Sequence, residues 1–126
     1  MGMKHKFVIR GKLPGLNEYI NAERTNKYKG AQLKRQCESV VMRSARSLSK
    51  YRAEGPVYMI YHWYCEDRRK DKDNISSFGR KVIQDALVRA KILKNDGWND
   101  IIGFEDIFYI DKKNPRIVVE IEEENT

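Results

Sequence analysis

Asp71 and Asp73 stand two residues apart in Arg69-Lys70-Asp71-Lys72-Asp73-Asn74, and a third acid, Asp96, follows in Asn95-Asp96-Gly97-Trp98. Side chains at i and i+2 of an extended segment share a face. Two carboxylates held that close repel unless a cation lies between them. Hard divalent cations such as Mg²⁺ take oxygen ligands from one or two carboxylates and keep positions open for water and phosphate. An Asp-x-Asp pair flanked by lysine and arginine therefore reads as a metal site facing a polyanion. The plain alternative is a turn or helix N-cap, where Asp and Asn side chains accept from free backbone N–H groups. A calcium loop of the EF-hand type is excluded. Counted from Asp71, position 6 is Ser76 where glycine is required, and position 12 is Val82 where glutamate is required.

Other routes to hydrolysis are poorly supplied. No Ser-His-Asp or Cys-His set stands in convincing order, and His5 and His62 are both remote from the acids in sequence. Cys37 and Cys65 lack CxxC spacing and do not cluster with histidine, so zinc is not expected. They read as packing residues of a reduced, cytoplasmic chain. Phosphodiester hydrolysis through carboxylate-bound Mg²⁺, with a lysine to neutralise developing charge, is the simpler chemistry.

The elements that must hold these groups belong to a single domain spanning residues 1–126. The net charge of +7 favours a polyanionic partner, nucleic acid before anionic membrane. No apolar run approaches the roughly 18 residues that span a bilayer, and the first residues carry no long apolar core of a signal peptide. A short strand is expected over Lys4–Arg10, a loop over Gly11–Asn17, and a surface segment over Asn21–Gly30. A helix is expected over Ala31–Ser49, where Leu33, Cys37, Val40, Val41, Ala45 and Leu48 recur at three and four. Val57–Cys65 is the strongest strand, and it leads into the acidic pair. A second helix over about Ser76–Ala90 carries the stripe Phe78, Val82, Ile83, Ala86, Leu87 and Ala90. Phe104–Ile110 and Arg116–Ile121, joined by Asp111–Pro115, read as an antiparallel hairpin. The order β-α-β-α-β-β predicts an α+β fold, a small mixed sheet with helices packed on one face.

Asp71-Lys72-Asp73-Asn74, then Asp85-Ala86-Leu87, then Asn95-Asp96, resembles the signature of the RusA family of Holliday junction resolvases. Leu13-Pro14-Gly15-Leu16-Asn17 and the Tyr/Lys-rich segment after it are similar to the branch found in phages and prophages of Gram-positive bacteria. The resemblance spans most of the chain and is densest over residues 68–106. It implies a RusA-like fold and a dimeric, Mg²⁺-dependent endodeoxyribonuclease that resolves four-way DNA junctions by paired nicks. Asp71, Asp73 and Asp96 match the family's catalytic, metal-binding aspartates. Lys81, four residues before Asp85, matches the family's functional lysine. It lies one helical turn further from Asp73 than in the family's short form, and Lys72 and Arg80 are its rivals.

The DNA-binding candidates are Arg24, Lys27, Lys29, Arg68, Arg69, Lys70 and Lys72 for phosphates, with Asn17 and Arg80 beside them. A helix over Ser76–Ala90 would rise roughly 22 Å at about 1.5 Å per residue, and Asp96 lies beyond its far end. Either the helix ends early, or Asp96 enters the site of a second subunit in a homodimer whose twofold axis matches a four-way junction. A catalytically silent nucleic-acid-binding module and a phage accessory protein that binds another protein are the competing readings.

Overall fold

The computed structural model describes residues 3–124. Four strands and three helices follow one another. They are β1 (Met3–Arg10), α1 (Leu16–Thr25), α2 (Lys27–Ser44), β2 (Val57–Cys65), α3 (Lys72–Arg89), β3 (Ile101–Ile110) and β4 (Arg116–Glu123), with a 3₁₀ turn at Ala45–Leu48. The sheet order is β1-β4-β2-β3. β4 runs antiparallel to both β1 and β2, and β3 runs parallel to β2. The expected α+β mixed sheet is therefore present. None of the described helices is long and apolar enough to cross a membrane.

Alternation along the strands sends one face of the sheet inward. Phe7 and Ile9 of β1, Met59, Tyr61 and Trp63 of β2, and Ile117, Val119 and Ile121 of β4 are buried. Cys37 and Val41 of α2, and Phe78, Val82, Ile83, Ala86 and Leu87 of α3, close over that face. Both helix stripes follow the 3.6-residue period read from the sequence. α3 stops where Lys91 turns into the left-handed region (φ 63), while Ile92 and Leu93 donate back to the Leu87 carbonyl.

Three expectations are corrected. The segment over Gly11–Gly30 is not one long irregular stretch, because α1 begins at Leu16 and α2 at Lys27. The break between them is a cap: the Asn26 side chain accepts from the Tyr28 N–H at 2.7 Å. Gly30 is buried where the two helices meet, and a Cβ there would come 2.4 Å from Glu23 Cγ. Second, α3 begins at Lys72 rather than near Ser76, so the acidic pair sits on a helix start and not on an extended strand end. Third, β3 and β4 do not form a hairpin. The chain crosses the end of β2, held by Asp111 N–H to Cys65 O at 2.7 Å and Gly11 N–H to Pro115 O at 3.0 Å. Every second residue of β4 from Ile117 to Ile121 is buried and none of β3 is, so β4 takes the interior position and β3 the edge.

Candidate active site

Parallel strands joined through a helix open a crevice at their carboxyl ends, beside the helix N-terminus. β2, α3 and β3 form such a unit here. Its crevice is an open cleft walled by Asp67, Arg68, Lys70, Asp71, Lys72 and Asp73, floored by Phe108, Tyr109 and Ile110, and bordered by Leu16 and Asn17. Of the residues singled out from sequence, Asp71, Asp73, Asn17, Arg68, Lys70 and Lys72 therefore share one site.

Asp71 is the N-cap residue of α3, with extended backbone (φ −65, ψ 150), yet its side chain makes no capping hydrogen bond. Asp73 lies in the first turn, and its carboxylate likewise takes no partner among the described residues. Capping thus does not account for the pair. Two exposed carboxylates with free lone pairs face the cleft at the positive end of an 18-residue helix, where negative charge is favoured.

Asn74 does something different. Its Oδ1 accepts from the Asn17 backbone N–H at 2.8 Å, latching the start of α1 onto the start of α3. Gly15 permits that approach, since a Cβ there would come 2.7 Å from Asn74 Nδ2. Lys70 spans the same gap by pairing with Glu18, and that hydrogen bond is the largest influence holding the Glu18 carboxyl below its ordinary value. Arg69 pairs with Asp67 at 3.5 Å. Lys72 lies 5.6 Å over the Phe108 ring. Arg68 is exposed and takes no ion-pair partner among the described residues.

Asp96 is elsewhere. It precedes β3, at the opposite end of the β2–β3 pair, and its Oδ2 lies 3.4 Å from Lys81 Nζ. Lys81 also pairs with Asp85 at 3.2 Å, and Asp85 with Lys34 of α2 at 2.8 Å. The hydrogen bond that Lys81 donates to Asp85 is the main cause that raises the Lys81 pKa. Burial acts to raise Asp85, but the bonds from Lys34 and Lys81 outweigh it and hold that carboxyl below its ordinary value. Eight residues of helix set Lys81 about 12 Å along the axis from Asp73 at about 1.5 Å per residue. α3 does not end early, so one chain does not bring Asp96 or Lys81 to Asp71 and Asp73. Among the described residues no group of three His, Cys, Asp or Glu could hold a metal ion.

Arg80 is also corrected as a phosphate candidate. Its Nη1 lies 2.5 Å from Asp106 Oδ2, and its guanidinium stacks 4.4 Å from the Phe104 ring centre. Asp106 accepts at the same time from Trp63 Nε1 at 2.9 Å. This cation fastens α3 to β3 and the core. Arg24, Lys27 and Lys29 are exposed on α1 and the first turn of α2 and do not line the cleft. Sequence reasoning missed Asp67 and the Phe108–Tyr109 floor. Only the parallel pairing of β3 with β2 brings that floor under the acids. No protein-family model matches the chain, and no curated protein matches it in sequence.

Proposed function

We propose that the chain is a Mg²⁺-dependent endodeoxyribonuclease of the RusA type that cuts branched DNA as a homodimer. The observation that carries this reading is the pair of carboxylates, Asp71 and Asp73, without a partner among the described residues, at a helix N-terminus inside a cleft with Arg68, Lys70 and Lys72. The donor set fits Mg²⁺, which is commonly held by one or two carboxylates together with substrate phosphates and water. When bound, the ion supplies a lowered water pKa and Lewis-acid stabilisation of phosphoryl charge. Asp71 and Asp73 hold it from the rigid helix start. Arg68 and Lys72 draw and orient the phosphodiester, and the aromatic floor limits the depth to which the strand settles.

The third acid comes from the second copy. β3 is an edge strand, and Ile102, Phe104 and Ile110 on it are about half exposed, with Trp98 beside its start 92% exposed. Unpaired strand edges and exposed aromatics invite association. An antiparallel meeting of two β3 edges about a twofold axis sets the start of one, just after Asp96, beside the end of the other, where the cleft opens. Each cleft would then join Asp71 and Asp73 of one subunit to Asp96 of its partner.

The test uses a synthetic four-way junction with Mg²⁺. Asp73→Asn lowers cutting by at least about 100-fold while binding is kept, the order expected for losing more than an outer-shell metal contact. Asp96→Asn does the same. Mixing and reassociating the two inactive variants restores nicking, because half of the sites in a mixed dimer then carry no lesion. No restoration shows that the acids do not act across subunits. Unmodified protein that binds the junction without cutting it would leave only a binding module. Asp96 lying apart from the pair within one chain is the observation on that side.

A further inference from the structure

A second, partly enclosed cavity of about 220 Å³ adjoins the acidic cleft. It lies between the loop after β1, the end of β2 and the start of β4. Leu13, Trp63, Ile75 and Ile117 line its interior, and its wall is more apolar than polar. Cys65, Asp67, Lys70 and Ile75 line both spaces, so the two share a wall. The basic residues around it are held in ion pairs. Lys12 pairs with Glu66. Arg116 is 2.8 Å from Asp111 and lies 3.7 Å from the Tyr64 ring centre. Arg69 sits on the loop that divides the cavity from the cleft.

We propose that this cavity receives one unstacked nucleobase from the DNA strand whose phosphates lie in the adjoining cleft. The inference rests on reading the cleft as a nucleic-acid site. The occupant has an apolar face to match the interior and is tethered to the strand in the adjoining cleft, with which the cavity shares a wall; a nucleobase meets both conditions. A cavity of about 220 Å³ has room for one planar heterocycle. A branch point supplies such a base at lower cost than a continuous duplex, because stacking is interrupted at the exchange point and unstacking is part of the energy to be met. Seating it would fix the register of the strand against Asp71 and Asp73. The cavity thus selects which bond beside the branch is presented for cutting.

Cys65 reports on occupancy. The sequence has two cysteines, Cys37 is buried, and Cys65 is half-buried on the shared wall. Burial pushes the Cys65 thiol above its ordinary value, so alkylation with iodoacetamide is followed by peptide mass at mildly alkaline pH, without divalent metal. Four-way junctions are compared with junctions that carry an abasic residue at each branch-flanking nucleotide in turn, with binding read by fluorescence anisotropy. The intact junction slows Cys65 alkylation about tenfold by closing access. One abasic position restores the free-protein rate and weakens binding about tenfold, within the range for a single stacked base. If every abasic junction binds and protects as well as the intact one, the base-receiving cavity is wrong while the cleft stands. If no junction binds at low salt, the nucleic-acid reading fails first and takes this one with it.

Discussion

A single methyl group shows how tightly the residues behind the site are set. Gly79 faces Trp63 across the α3–β2 contact, and a Cβ there would come 2.9 Å from the far edge of the indole. Gly to Ala inside a helix ordinarily gains about 1 kcal/mol. Here Trp63 cannot yield, because it is 2% exposed and tied to Asp106. Overpacking costs about 1–3 kcal/mol, so Gly79→Ala is expected to lower stability by a net of up to about 2 kcal/mol. The urea midpoint should drop with an unchanged slope; a rise in the midpoint would show that Trp63 is free to move. The same scale explains what sequence could say about the acids. Asp71 and Asp73 stand out in the sequence by their spacing of two, and both line one cleft. The role of Arg80 was not legible there, since the residue that occupies it, Asp106, lies 26 positions away on another element.

At the scale of elements, periodicity found what was amphipathic and missed what was not. α2, β2 and α3 bury clear stripes and were read within a few residues. α1 has no fully buried residue and escaped notice. The hairpin was misread because Asp111–Pro115 signals a reversal but not which strand lies between its arms; that is decided by burial across the whole sheet. The end of β4 illustrates such long-range closure. Glu123 accepts from Tyr51 Oη at 2.7 Å and from the backbone N–H groups of Glu54 and Gly55 at 3.1 and 3.0 Å. Burial acts to raise its pKa, but these bonds prevail and hold it below its ordinary value of 4.5. The unfolded chain therefore takes up the proton first as pH falls. The contribution is complete above about pH 4.5 and is lost as pH drops through the lower folded value. Glu123→Gln should be less stable than the unmodified protein at pH 7, and the gap should narrow toward pH 3 in thermal melts. A gap constant with pH would mean that the charge contributes nothing.

For the whole molecule the net charge is +7, and the cleft sets Arg68, Lys70 and Lys72 beside Asp67, Asp71 and Asp73. Binding to DNA should weaken steeply with salt, with a log–log slope of about −0.9 per neutralised phosphate. Among the described residues Arg68 and Lys72 are the cleft cations without an acidic partner, and Lys72 lies over the Phe108 ring, so Arg68→Ala should reduce that slope by about 1. Arg80→Ala should leave the slope alone and lower stability instead. An Arg68 variant with an unchanged slope would place the phosphate path outside this cleft. The pairing order of the sheet also bears on how the molecule is born. β4 is one of the two interior strands, yet it follows β1 by more than a hundred residues and is read out after every other strand described. While the ribosome has delivered only β1, the helices, β2 and β3, two hydrophobic strand borders stay open with nothing to fill the gap between them. The chain must wait, collapsed and exposed, until its closing strand emerges. Folding is therefore expected to be late and all at once rather than stepwise during synthesis.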